Sequence, residues 1–523
     1  MKKNSLKIIT LVSASFIATS CSLFETFKYN WLTATNNNTE IRYCLLIGQN
    51  EHSDSIERTR YTREYLGTRD EKTEINGNAN LGTPKIGEIT LPGNIMTNVA
   101  PKKFKVTELE HMEQKSLAGV VWDPITANTT TATWINKHGK KLTMIVSNND
   151  GMAEGAMHAY NYVDKLPIFG YDANKTTLDL INECRTTSSG IMGTVDQNAG
   201  PQTAAAFMII RNILDDQLAK KEGKEDHGIG TTAYDPTSYG FSEDSPNNRL
   251  GMYIKGWKGE HDIGIVNPNG KDEHERSPNN MDLSKTDGNH EILSTSTAMD
   301  LTNVQDYLNE DGSAKGPNDL AWDEKLGFVK KLDTYQKPTK EWEVCHVYNN
   351  AAEEYLQGTM APYYEQFTGH GKDKSGKEIP AFGIKDNKID GNGIDEEAIF
   401  TQLKPYLSKQ TFDAFLINMV TTADAATFID TIAPYVAQKE KKTYKSKGWD
   451  NWEDRFDTPL LFWNKQPRDP IGNVDTSVMN NKFFKYTYFV GVDAAYGGKV
   501  QGQMILDYLN RCYVNSMKEA KGK

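Results

Sequence analysis

Residues 41–59 read IRYCLLIGQNEHSDSIERT. An unbroken apolar run is followed by a short polar turn, and then by a stretch from His52 that reads as a helix. That unit belongs to a parallel sheet covered on both faces, where strands are continuously apolar rather than alternating. The unit recurs. Residues 142–146 precede GMAEGAMHAYNYV, residues 167–170 precede KTTLDLINEC, EVCHVYN precedes AEEYLQGTMAPYYEQF, and FDAFLINMV precedes AATFIDTIAPYV. Residues 204–220 read as a long amphipathic helix. Strand–helix alternation with right-handed crossovers builds doubly wound α/β sheets. A chain of 523 residues is long enough for more than one such core.

Three stretches break the pattern. Residues 22–39, with TNNNT, read as a tether; residues 67–103 and 223–290 read as insertions rich in Gly, Asn and charged residues. The second insertion is too long for a simple loop in a compact domain, and Tyr239, Phe241, Tyr253 and Trp257 offer it a partial core. The net charge of −11 argues against a phosphate backbone as partner, so no nucleic acid is expected. Residues 1–21 read as an export signal: Lys2 and Lys3, a mostly apolar run over 6–17, then Ala18-Thr19-Ser20 before Cys21. Two acyl chains on Cys21 would suffice for stable anchoring at the extracytoplasmic face of a bacterial membrane. The other cysteines, Cys44, Cys184, Cys345 and Cys512, lack metal-type spacing and read as buried free thiols.

Four quoted segments (41–59; MIVSNNDGMAEGAMHAY and LPIFGYDAN within 144–174; PLLFWNKQP at 459–467; YFVGVDAAYGGKVQG at 488–502) resemble those of the galactose/glucose-type periplasmic sugar-binding proteins that feed ABC importers. In that family the last two segments come first, so the resemblance implies a circular permutation. It also implies the fold: two doubly wound parallel-sheet lobes joined by a hinge of three crossing strands, of the type I periplasmic binding protein kind. One lobe would comprise residues 40–197 with 296–312 and 494–523. The other would comprise 198–295 and 341–493, carrying the insertion 223–290.

A hexose presents hydroxyls around its rim and two faintly apolar faces, which call for bidentate polar groups and aromatic rings. The resemblance assigns His52, Asp54 and Arg58 to hydroxyls, Trp122 to one sugar face, and Asn149, Asp172 and Asn464 to further hydroxyls. Where the family has Asn, this chain has Gln197, with Asn198 next to it as the alternative. Glu353, Glu354 and Tyr355 stand where the family has an acid and a second ring two residues apart; Glu353 as acceptor and Tyr355 as ring is the preferred assignment. Without the resemblance, residues 52–58 read as a helix start capped by Ser53 or Asp54, Asp150 as a helix cap, and Trp122 as a core residue.

The family's calcium loop falls where this chain is cut. Asn36, Asn38 and Glu40 match ligand positions, but Arg42 and Thr143 occupy two others. An arginine repels a hard cation, so that site is expected to be lost and no cofactor is implied. Asp390–Asp395 resembles a calcium loop with Lys388 in place of a leading carboxylate, and reads as a turn before a helix. The implied function is capture of a monosaccharide by cleft closure and its delivery to an ABC-type permease, by a monomer that is not an enzyme. The alternatives are a surface lipoprotein for adhesion or sensing, and a saccharide hydrolase using Asp54 and Asp172. Donor neighbours around both carboxylates favour their staying ionised, which speaks against the hydrolase.

Overall fold

The computed structural model describes residues 40–49, 52–74, 81–114, 121–159, 166–185, 190–221, 291–294, 296–314, 341–350, 353, 355–367, 384–393, 395–409, 411–443, 456–469, 474–479 and 481–521, and three short strands at 232–234, 252–254 and 281–282. The stretches read as a signal and a tether, and most of 223–290, lie outside these residues.

In the first lobe, β1 (Glu40–Gln49) is followed by α1 (Ser53–Tyr65), β2 (Gly87–Leu91), β3 (Lys102–Gln114), α2 (Pro124–His138), β4 (Met144–Ser147), α3 (Asp150–His158), β5 (Pro167–Phe169), α4 (Lys175–Cys184) and β6 (Gly190–Asp196). Strand order is β11-β6-β5-β4-β1-β3-β2, where β11 is Thr297–Asp300. The five central strands are parallel, and only the edges β11 and β2 run antiparallel. The central strands bury almost every residue, as in Ile41 to Ile47 and Met144 to Val146, because helices cover both faces.

The second lobe starts with α5 (Ala199–Lys221). After the short strands β7 (Thr232–Tyr234), β8 (Met252–Ile254) and β9 (Met281–Asp282) comes β10 (Glu291–Ser294). The chain then visits β11 in the first lobe and returns at β12 (Trp342–Tyr348), followed by α6 (Ala361–Phe367), β13 (Ile384–Asp390), α7 (Glu396–Lys409), β14 (Ala414–Ile417), α8 (Ala425–Thr443), β15 (Leu460–Trp463), α9 (Thr476–Met479) and β16 (Thr487–Val492). The sheet order is β13-β12-β14-β15-β16-β10-β8. Alternation along β12 sends Val344 and Tyr348 to one buried cluster with Phe207 and Ile210 of α5. Cys345 and Val347 go to the opposite cluster, with Phe400 of α7 and Phe428 of α8.

Both sheets reverse their winding next to their first strand, between β1 and β4 and between β12 and β14. Ligands of open α/β sheets sit at the carboxyl ends of strands at that point. Three passages join the lobes: β6 into α5, β10 into β11, and β16 into α10 (Ala494–Lys521). The last helix packs on α1 of the first lobe. A Cβ at Gly498 would meet Arg58 backbone at 3.0 Å, and one at Gly502 would meet the Tyr65 Cβ at 2.5 Å. The GGKVQG sequence thus serves close helix contact. Gln501 of α10 donates to the Ser147 and Gly170 carbonyls at 2.8 and 2.9 Å, tying the chain's last helix to the ends of β4 and β5.

The stretch read as an insertion at 67–103 holds β2, which pairs with β3 to form the sheet edge. All four described cysteines are buried. At the start of β1, Arg42 donates to the Glu40 carboxylate, and Thr143 Oγ1 donates to the Arg42 carbonyl at 2.7 Å. Among the described residues no group of His, Cys, Asp and Glu is arranged to hold a metal, and no helix is long and apolar enough to cross a membrane.

Candidate functional site

The carboxyl ends of the two sheets face each other across a pocket with about 330 Å³ of space between its atoms, part of it open to solvent. The first lobe supplies His52, Asp54, Arg58, Trp122, Asn149, Asp172 and Gln197; the second supplies Glu353, Tyr355, Asn464 and Lys465. Ten of the twelve residues singled out in the sequence therefore meet in one place. Asn198 does not line the pocket; its backbone N–H donates to the Asp196 carboxylate at 2.8 Å. Glu354 and Cys21 lie outside the described residues. Lys465 was overlooked, although it adjoins Asn464 in the quoted string. Its buried Nζ donates to the Val420 carbonyl at 2.8 Å.

The start of α1 combines capping with ligand chemistry. The cap is His52, not Ser53 or Asp54: the Asp54 N–H donates to His52 Nδ1 at 3.1 Å. An accepting Nδ1 leaves the proton on Nε2. Burial, with Lys465 and Arg58 nearby, lowers the His52 pKa well below the usual value and keeps the ring neutral. The ring meets Trp122 edge-on with centroids 5.6 Å apart. One turn on, Arg58 donates to Asp54 Oδ2 at 2.9 Å, to the Asn148 carbonyl at 2.8 Å and to Asp172 Oδ1 at 3.5 Å. Its guanidinium lies 3.7 Å from the Tyr171 ring centroid. One cation thereby fixes two carboxylates from different elements.

The cap of α3 corrects the expectation for Asp150. The Asn149 side-chain oxygen accepts the Met152 N–H at 2.9 Å and is the cap. Its amide nitrogen remains the side chain's donor group. The Asp150 carboxylate instead accepts the Asn174 N–H and the Thr194 hydroxyl at 2.8 and 2.7 Å, which holds the β5 and β6 ends together.

Asp172 follows β5 with φ of 116°. It accepts from the Gln197 amide and from Arg58. Burial nonetheless pushes its pKa up to about 8, with Glu353 contributing, against the opposing pull of Arg58. This runs against the expectation that both aspartates stay ionised: burial favours a protonated Asp172 at neutral pH. Burial also raises Asp54 and Glu353, and lowers Lys465.

The second lobe brings its ring in through an unusual turn. Tyr355 opens a π-helix, Tyr355–Met360, rather than the α-helix expected from the sequence. Such wide turns concentrate at functional sites. The Tyr355 hydroxyl and Gln197 Oε1 are buried and take no hydrogen bond from another protein group, so both remain for groups entering the pocket. Backbone strain gathers here too. Of the six described non-glycine residues with positive φ, Trp122, Asp172 and Asn464 line the pocket, and Ala173 and Asn198 adjoin it. Strained residues persist where surroundings over-determine them, typically at ligand sites. Gly48, at φ 79°, leaves the space that Trp122 fills: a Cβ there would sit 2.5 Å from the indole. Across the cleft, the Thr359 hydroxyl donates to Asn174 Oδ1 at 3.2 Å.

Fold and pocket together describe two α/β lobes with a polar and aromatic pocket between the carboxyl ends of their sheets. Residues 30–218 match the periplasmic binding protein domain. It is a domain of binding proteins rather than of enzymes. A curated relative, the D-galactose/methyl-galactoside binding periplasmic protein MglB of Haemophilus influenzae, is 26% identical over 200 residues, covering 38% of this chain and 47% of that protein. The chain thus spans about half the length of that relative. A solved solute-binding protein of an ABC transporter from R. palustris, in complex with benzoate, aligns over 92% of this chain and 84% of its own at 10% identity, with a TM-score of 0.34. That likeness is too slight to bear on function.

Proposed function

We propose that the chain binds a hexose of the glucose/galactose kind in the cleft, closes on it, and delivers it to an ABC-type importer from a lipid anchor on Cys21 outside the cytoplasmic membrane. The observation that carries this is the composition of the pocket: two rings, Trp122 and Tyr355, with bidentate carboxylate, amide and guanidinium groups contributed by both lobes. Such groups suit a molecule with hydroxyls around a flat, weakly apolar body. Charge points the same way. With Asp172 protonated, Asp54 and Glu353 are offset by Arg58 and Lys465, so the pocket favours a neutral ligand over an ionic one.

Closure follows from the division of contacts. Only the closed form makes both sets, so a ligand shifts the population toward it. Placement of α10 against α1 of the first lobe supports the circularly permuted order, because this helix leads out of the second lobe onto the lobe that begins at β1. Tryptophan emission tests the pocket assignment. Adding glucose or galactose should change the emission of the chain and not of Trp122→Phe; an unchanged signal from the wild-type chain with every monosaccharide counts against it.

A further inference from the structure

The end of the first lobe opposite the pocket carries an apolar point that its own fold does not use. Between β2 and β3, Ile95 is 93% and Met96 97% exposed, in a short 3-10 turn capped by Asn94 and closed by Asn98 at φ 53°. This tip is firmly mounted. The Gly93 N–H donates to Asn510 Oδ1 at 2.8 Å, Asn510 Nδ2 donates to the Gly93 carbonyl at 3.1 Å, and the Tyr513 hydroxyl donates to the Ala100 carbonyl at 2.9 Å. Val99 is buried beneath it. Holding two large apolar side chains in water on a fixed support gains nothing for folding.

Register tells where this tip points. β1 and β3 are parallel, and Glu40 pairs with Lys105. Lys102 therefore lies three residues, about 10 Å, beyond the level of Glu40, and the tip extends further. The 39 residues that precede Glu40 join the lobe at this same end. Here too are the exposed Lys140 and Lys141, in the turn that leads to β4. A chain with a net charge of −11 thus presents apolar side chains and lysines together at the end where its N-terminal segment enters.

We infer that this end is a membrane-facing surface, with Ile95 and Met96 entering the interfacial layer of an anionic bilayer and Lys140 and Lys141 meeting its headgroups. The inference rests on the proposed anchor for its orientation, but not for its chemistry. Apolar side chains with nearby cations are the combination that partitions to such an interface, and each lysine near an anionic surface contributes about 1 kcal/mol, roughly fivefold.

The test uses the full chain with an environment-sensitive fluorophore at Met96→Cys, and a control label at Ile125→Cys, an exposed position at the pocket end. Vesicles of phosphatidylcholine and phosphatidylglycerol carry a lipid-borne quencher. The expected result is a blue shift and quenching at position 96 only, with the lipid-contacting fraction falling at least about 25-fold in Lys140→Glu/Lys141→Glu. A chain that sits on the vesicles with both labels in water overturns the inference and leaves the anchor standing. Insertion of label 96 in a Cys21→Ser chain supports the inference even if the anchor fails. No association of either chain overturns both.

Discussion

Affinity for sugar should rise with pH, and Asp172 should be the reason. In the empty pocket burial holds this carboxyl protonated up to about pH 8. A sugar hydroxyl that donates to it favours the ionised form, so the bound pKa falls and binding releases a proton. If the bound value lies below the range tested, the apparent Kd scales as one plus ten to the power of (8 − pH). Between about pH 6 and pH 8 it should fall roughly 50-fold, equivalent to about 2.3 kcal/mol. Titration calorimetry near pH 7 in buffers of different ionisation enthalpy should show release of about 0.9 proton per sugar. Asp172→Asn keeps the shape, removes the titration and loses a charge-assisted hydrogen bond, about 1.5–3 kcal/mol. Its Kd at high pH should be about 10- to 150-fold weaker than wild type, with little slope. A Kd that does not vary with pH in the wild-type chain, or an equal slope in the variant, refutes the reasoning.

Stability of the empty protein should move the other way. A carboxyl raised on folding contributes stability at low pH that is lost as pH climbs from the unfolded value toward about 8, so Asp172→Asn should raise the melting temperature of the ligand-free chain above pH 8 and not at pH 4, as scanning calorimetry would read. Gly48→Ala places a Cβ into the Trp122 ring at a positive φ; it should cost more than about 1 kcal/mol of stability and weaken sugar binding, whereas an unchanged Kd would show that the indole does not contact sugar. Thr359→Val removes the hydrogen bond across the cleft and should shift the empty chain toward an open form by about 1 kcal/mol, visible in X-ray scattering as a larger radius of gyration without sugar and an unchanged one with it.

The apolar strands made the fold legible. Tyr43 to Ile47, Met144 to Val146 and Ala414 to Ile417 are buried on both faces, which is the condition that writes a strand as an unbroken apolar run. The strands that were missed are those at the margins. β3 alternates, with Phe104 and Val106 inward and Lys103 and Lys105 outward, because one part of it faces solvent. β13, the edge strand KDNKID, buries little besides Ile384 and Ile389. The pocket was legible because its residues follow the strand ends in short, recognisable strings. Local roles within it were not, since the same side chain caps a helix and faces the cleft: His52 and Asn149 do both. Lys465 escaped because a lysine beside an asparagine looks like a solvated charge, and only burial between lobes gives it a place in the site. The π-turn at Tyr355 has no signature in the sequence, as it depends on packing of the second lobe.

Titration of the purified full chain with glucose, galactose, xylose and ribose, followed by chromatography of the recovered sugar, addresses the central claim directly. The account predicts saturable one-to-one binding of at least one hexose, recovered unaltered, and loss of that binding in Trp122→Ala/Tyr355→Ala. No heat with any of the four sugars, or conversion of a sugar into another product, would contradict it.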